Sequence, residues 1–213
     1  MTQLKIFEIF YSLQGESSRV GLPTIFIRLS GCPMRCHYCD TAYAFQGGSM
    51  MSVDDIMRSI QTYDTRYVTV TGGEPLAQKE VLNLLRELAD HNYDVSLETG
   101  GGLSIQEVDS RIKIILDIKT PDSGEEKKNH WDNLNTISVK DEIKFVLCSR
   151  EDYEWAKQIM NQYQLHQKYS ILFSPVYEKL DPTDLGNWIL EDQLDVRMQI
   201  QLHKLLWGEK PGV

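Results

Sequence analysis

Eight short segments of this chain alternate apolar and polar side chains at period two, and helical patterns separate several of them. No other feature narrows the possible folds as far. The segments are 5–12, 24–30, 67–71, 94–98, 113–118, 142–147, 169–174 and 196–202. Between them, Ser52 is a candidate N-cap with Asp55 three residues on, followed by Val53, Ile56, Met57 and Ile60 at helical spacing. Leu82, Leu85, Leu88 and Ala89 form a second apolar stripe, and Tyr153, Ala156, Ile159, Met160 and Tyr163 a third. A fourth helix opens after Asp181-Pro182, weakened by Gly186. Such alternation of strands and helices predicts a parallel α/β sheet.

The strands are polar on one side. Ile25, Ile27 and Leu29 oppose Arg28 and Ser30; Val68 and Val70 oppose Thr69 and Thr71; Val95 and Leu97 oppose Ser96 and Glu98. Likewise Ile114, Leu116 and Ile118 oppose Asp117 and Lys119. Central strands of an open doubly wound sheet bury both faces and read as continuous apolar runs. Here one face suits an outer ring of helices and the other a polar cavity. With 213 residues the chain is short for eight units, so the expectation is a single domain, 1–213. Its fold would be a partial (β/α)6 barrel with an added N-terminal strand. A mixed sheet with one solvated face is the alternative. The polar stretch 122–135 reads as a mobile surface excursion.

Cys32, Cys36 and Cys39 follow the segment 24–30 with the spacing Cys-x3-Cys-x2-Cys. Three thiolates without a fourth suit an iron–sulfur cube with one iron left open, or a zinc site completed by His37 or the distant Cys148. The run Gly72-Gly73-Glu74-Pro75 follows the segment 67–71 in the same way. In (β/α) barrels the loops after strand carboxyl ends carry the chemistry, so both motifs would reach one face. Glu98 ends its strand before Thr99-Gly100-Gly101-Gly102, where a carboxylate can accept ribose hydroxyls. Asp117 and Lys119 end another strand, and Lys119 is either solvated or paired with a ligand carboxylate. Arg28, on an interior face, suits bidentate binding of a ligand carboxylate, with an internal salt bridge as the alternative. Cys148 reads as a buried free thiol.

Net charge is −9, which disfavours nucleic acid as a partner. No apolar run approaches the roughly 20 residues of a membrane span. The beginning MTQLKIFEIF lacks a basic-then-apolar leader, so a cytoplasmic location is expected.

Taken together, these motifs resemble the radical S-adenosylmethionine (SAM) superfamily, whose marks are the three-cysteine loop and the Gly-Gly-Glu-Pro run. Phe10-Tyr11-Ser12-Leu13-Gln14-Gly15-Glu16, Phe26-Ile27-Arg28-Leu29, Cys39-Asp40-Thr41 and Gln201-Leu202-His203-Lys204 sharpen the resemblance to its 7-carboxy-7-deazaguanine synthase family. That family is a class of carbon–nitrogen lyases in deazapurine and queuosine biosynthesis. The resemblance implies a [4Fe–4S] cluster on Cys32, Cys36 and Cys39, SAM and Mg²⁺. It implies a carboxylated tetrahydropterin substrate contacted by Leu13, Gln14, Gly15, Arg28 and Thr71. Tyr38, Cys39, Asp40, Gly73, Glu98, Asp117, Ile118, Lys119, Ser174, Pro175, Val176 and Tyr177 would face SAM, and Thr41 would ligate Mg²⁺. It also implies a homodimer served by an electron donor such as flavodoxin or ferredoxin. Some relatives end in a proline that reaches the substrate; Pro211 occupies the comparable region. A glycyl-radical activating enzyme shares the cluster spacing, and a zinc-bound interaction module is the non-enzyme reading.

Overall fold

The computed structural model describes residues 3–210 and 212–213, so Pro211 lies outside the described residues. One nine-stranded sheet organises the chain. Strands β1 (Gln3–Leu13), β2 (Pro23–Leu29) and β3 (Ser49–Ser52) come first, then helix α1 (Val53–Ile60). They are followed by β4 (Tyr67–Gly72), α2 (Val81–Asp90), β5 (Asp94–Thr99), β6 (Lys113–Ile118), β7 (Glu142–Leu147) and α3 (Arg150–Tyr163). The chain then runs through β8 (Ser170–Pro175), α4 (Pro182–Glu191), β9 (Arg197–Met198) and α5 (Leu202–Trp207).

The strand order is β3-β1-β2-β4-β5-β6-β7-β8-β9. From β2 to β9 each neighbour is parallel, whereas β1 runs antiparallel to both β2 and β3. Six full-length parallel strands (β2 and β4 to β8) match the expected unit count, with the antiparallel β1 as the added N-terminal strand and the two-residue β9 as a seventh parallel strand at the far edge. Among the described residues the ladder does not join β9 to β3, so the hydrogen-bonded sheet is an open arc, as a partial barrel requires.

Alternation holds along the arc because parallel register keeps residues of one parity on one face. Ile25, Ile27, Leu29, Val68, Val70, Val95 and Leu97 pack outward with Ile56, Ile60, Leu84, Leu85 and Leu88 of α1 and α2. Ile114, Leu116, Ile118, Ile143, Phe145, Leu147, Ile171 and Phe173 pack outward with Tyr153, Ala156, Ile159, Leu185 and Ile189 of α3 and α4. Each such side chain contributes about 1.5–3 kcal/mol on full burial. Ser52 caps α1 as expected, accepting from the Asp55 amide at 3.1 Å. The stripe of α2 is rotated by one residue from expectation: Val81, Leu84, Leu85 and Leu88 are buried, while Leu82 and Ala89 sit at its margin.

Three segments differ from the sequence reading. The expected strand 196–202 pairs only at Arg197 and Met198, because β8 offers it just Leu172 and Phe173; the helix former-rich run after Gln201 then coils into α5. Strand β3 was not expected, since Ser-Met-Met-Ser has little strand propensity; it forms on the edge that β1 leaves open, pairing Leu4 with Met51. The stretch 122–135 is no loose excursion. It makes three short 3₁₀ turns and buries Ser123, Glu125 and Asn133.

Residues 14–22 close the amino-terminal end of the arc. Gln14 and Leu22 join through backbone at 2.9 Å, and the Ser18 amide donates to Glu142 at the start of β7 at 3.1 Å. Arg19 pairs with Asp94 at the start of β5, and Lys113 at the start of β6 donates to the Ser18 hydroxyl at 2.7 Å. No helix is long and apolar enough to cross a membrane among the described residues.

Candidate active site

The inner face of the arc encloses a cavity of about 440 Å³. Its upper wall is built from the loops after the strand carboxyl ends: the cysteine loop after β2, Gly72–Glu74 after β4, Gly100 after β5, Lys119 after β6 and Val176–Tyr177 after β8. Its floor is the Leu13–Glu16 segment, and the open side of the arc is covered by Gln201, His203 and Lys204. The cover is tied on by the Leu202 amide, which donates to the Gly15 carbonyl at 3.0 Å, and by the Gln201 amide group, which donates to Asp40 Oδ2 at 2.9 Å.

The two sequence motifs are locked together. The Glu74 amide donates to the Gly31 carbonyl at 2.9 Å, and a Cβ at Gly73 would stand 2.8 Å from Cys32 Cβ, so only glycine fits against the cysteine loop. Glu74 is fully buried and holds the end of β5, accepting from the Thr99 hydroxyl at 2.9 Å and the Gly100 amide at 2.8 Å. It is a joint between loops, and burial raises its pKa.

All three loop cysteines are half-buried, free and on the cavity wall. Burial pushes the Cys36 thiol up to about 11, with Lys119 opposing. Among the described residues their sulfurs do not converge within 4.8 Å as a set. Three thiolates on one zinc at about 2.3 Å would lie about 3.8 Å apart. A cube, whose ligands sit at separate corners, accepts the wider spacing. The donor set therefore fits an iron–sulfur cluster. Cys148 is half-buried, not buried as expected, and groups with Asp122 and Asp152. Both carboxylates are already engaged: Asp152 accepts from the Asp122 amide at 3.0 Å and the Cys148 amide at 2.9 Å, and the Asp122 carboxylate accepts from the Ser149 hydroxyl at 2.5 Å, which makes this a knot between loops.

Four charges cross the cavity in alternation. Lys119 Nζ lies 2.9 Å from Asp117 Oδ2, that oxygen lies 3.8 Å from Lys144 Nζ, and Lys144 Nζ lies 2.9 Å from Glu16 Oε2. Burial works against the charge of both lysines, but their carboxylate neighbours outweigh it and both pKa values move up. Lys119 is thus neither solvated nor free for a ligand carboxylate alone, because Asp117 already pairs with it. Glu98 is held by the Gln14 amide at 3.3 Å and the Thr71 hydroxyl at 3.3 Å, and burial raises its pKa. Arg28 donates from Nε to Glu8 Oε1 at 2.8 Å, so the internal salt bridge exists; the residue still lines the cavity.

Leu13, Gln14, Gly15, Thr71, Gly73, Tyr38, Asp40, Thr41, Ser174, Pro175, Val176 and Tyr177 all line the same cavity. Ile118 does not: strand parity turns its side chain outward into the core beside α3. Lys144 and His203 line the cavity too, although neither stands in a motif with a role assigned from sequence. The alternation of Glu142 and Lys144 with Ile143 and Phe145 carried the signal for Lys144. Buried polar atoms without a partner, the Tyr38 hydroxyl, Asp117 Oδ1 and the Ser174 hydroxyl, face this space, as expected of a site that receives a polar ligand.

Residues 26–163 match the Radical SAM superfamily. A 7-carboxy-7-deazaguanine synthase of Chlorobaculum tepidum is 46% identical over 209 residues, covering 96% of this chain and 94% of the relative. One from Koribacter versatilis is 42% identical over 226 residues, covering 99% and 100%. The crystal structure of QueE from Escherichia coli aligns with a TM-score of 0.77 at 25% identity, covering 94% of this chain and 95% of that one. With its cysteine loop, its Gly-Gly-Glu-Pro joint and near-full-length relatives of one kind, the chain belongs to the 7-carboxy-7-deazaguanine synthase family of the radical SAM superfamily.

Proposed function

We propose that this protein converts 6-carboxy-5,6,7,8-tetrahydropterin into 7-carboxy-7-deazaguanine with release of ammonia. The near-full-length relationship at 46% identity carries this reading. The cavity supports it, because cysteine loop and Leu13–Glu16 floor line one continuous space. Cys32, Cys36 and Cys39 would hold the cluster, which together with SAM would supply the radical chemistry of the reaction.

The chain's own residues bind, orient and exclude water. Arg28 presents the remainder of a guanidinium fork to the substrate carboxylate while Glu8 fixes its Nε edge. Leu13, Gln14, Gly15 and Thr71 surround the pterin ring. Gln14 is itself oriented by Thr69 at 3.1 Å, so its amide direction is set before binding. Tyr38, Cys39, Asp40, Gly73, Glu98, Asp117, Lys119 and Ser174–Tyr177 form the SAM side; at Ile118 only backbone faces that way. Thr41, whose hydroxyl lies 3.7 Å from Cys39 Sγ, would offer one hard oxygen to Mg²⁺, an ion that prefers oxygen ligands. The protein works in the cytoplasm as a homodimer and takes electrons from a flavodoxin or ferredoxin.

The test is an anaerobic reaction of reconstituted protein with reductant, SAM, Mg²⁺ and the tetrahydropterin, read by mass spectrometry. A product lighter by one ammonia is expected. Cleavage of SAM with the pterin intact would remove the substrate assignment and favour an activating enzyme.

A further inference from the structure

The cysteine loop is gripped from outside the cavity by a segment that contributes no ligand. The His37 amide donates to the Ser123 carbonyl at 3.0 Å, and His37 Nδ1 lies 3.1 Å from the Asp122 carbonyl. The Arg35 amide donates to Glu125 Oε1 at 2.6 Å. Lys128 Nζ donates to the Pro33 carbonyl at 2.9 Å and pairs with the other Glu125 oxygen at 2.7 Å. Every one of these contacts falls on the interval between Cys32 and Cys39, the stretch that sets the relative positions of the three thiols.

The gripping segment is itself anchored. The Glu125 amide donates to the Ser123 hydroxyl at 3.0 Å, and that hydroxyl donates to the Thr120 carbonyl at 2.5 Å. Asp152, fully buried, accepts from the Asp122 amide and from the Thr120 hydroxyl at 3.0 Å each. A continuous path of hydrogen bonds therefore leads from the first turn of α3 to the backbone of the cysteine loop. Glu125 is its last buried member, 8% exposed, and joins the path to Arg35 and Lys128.

We propose that Glu125, assisted by Lys128, is a positioning residue for the iron–sulfur cluster: it holds the cysteine loop in ligand-ready form before the cluster arrives. Two physical effects follow. The Arg35 N–H is satisfied by Glu125 and so is not free for a sulfur atom, and the reduction potential of a cluster depends on the hydrogen bonds its sulfurs receive. The loop also pays less ordering entropy on binding metal, since its backbone is already fixed. The inference rests on family membership and the cluster it carries, not on the identity of the organic substrate.

The test uses the apoprotein and the reconstituted protein of Glu125→Ala, Glu125→Gln and Lys128→Met, without pterin. Iodoacetamide labelling of the apoprotein, resolved by peptide mass spectrometry, reads the loop thiols, with Cys148 as internal reference. Loss of one net hydrogen bond, about 1 kcal/mol, predicts roughly fivefold faster labelling of Cys36 and Cys39 in Glu125→Ala with Cys148 unchanged. Glu125→Gln keeps an acceptor for the Arg35 amide and restores the wild-type rate. In the reconstituted protein, the cluster absorbance of Glu125→Ala decays faster in air and its midpoint potential shifts, and Glu125→Gln returns both toward wild type. Should Glu125→Ala fail to fold, Lys128→Met, altered at an exposed side chain, must show the same changes in smaller degree. Unchanged loop labelling, or labelling of Cys148 that rises in step, overturns the proposal.

Discussion

Gly15 and His203 occupy one another's space. A Cβ at position 15 would overlap His203 Nδ1 and lie 3.1 Å from Cε1, so the floor of the cavity and its C-terminal cover meet without room for a methyl group. Nearby, the Leu202 amide reaches the Gly15 carbonyl.

Gly15→Ala is therefore expected to push the cover outward. Overpacking of this kind costs about 1–3 kcal/mol, or a fall in Tm of about 2–12 °C for a chain of this size. Differential scanning calorimetry of the apoprotein measures it. His203→Ala in the same background should recover most of the loss.

Arg28 is fixed by Glu8 and flanked by the rings of Phe10 and Tyr43, at 5.7 and 5.9 Å. Replacing it by lysine keeps the charge and loses the fork. We expect KM for the pterin to rise about 10- to 100-fold, as for a lost charge-assisted hydrogen bond of about 1.5–3 kcal/mol. Iron content should be unchanged. A parallel loss of iron would assign Arg28 to holding β1 against β2.

Cys36→Ala should abolish stable cluster loading, whereas Cys148→Ser should retain it, since Cys148 groups with Asp122 and Asp152 instead of with the loop thiols. Iron and sulfide assays after anaerobic reconstitution decide between them. Loss of iron in both variants would revive a four-cysteine site.

Glu98 titrates above the ordinary carboxylate because burial disfavours its charge, with Lys144 only partly compensating. A folded-state pKa above the unfolded one means that the folded chain holds the extra proton. Glu98 thus supports stability most fully below the unfolded value of about 4.3, and that support is lost as pH rises through the folded pKa. Glu98→Gln keeps an acceptor for Gln14 and Thr71 and should flatten this decline, raising apoprotein stability at neutral pH relative to wild type. Urea titrations at several pH values from 4 to 7 test the sign. A constant difference at every pH would exclude ionisation as its source.

The inner face of the arc was legible because side-chain parity survives folding: Thr71, Glu98, Asp117 and Lys119 line the cavity, and Thr69 and Ser96 bond to one another beneath Gln14, as their alternation requires. Pairings across the cavity were not legible. Lys144 and Glu16 are 128 positions apart and meet only because the arc curls. Glu125 and Arg35, 90 positions apart, read locally as a polar loop and a charged residue between cysteines. Local propensity misjudged β3 for a related reason: an open edge on β1 recruited it. Ile118 shows the complementary case: a motif position carried over as a contact lies on the outward parity of its strand, so its side chain joins the core.

The alternating row Lys119, Asp117, Lys144, Glu16 has a further consequence for how a ligand enters. Each charge already has a counter-ion, so none waits bare for its partner and none must shed a full water shell on binding. A zwitterion or carboxylate bound there would exchange one ion partner for another within a framework whose dipoles are oriented beforehand. The protein keeps its own electrolyte inside, and recognition becomes substitution within that lattice instead of transfer from water.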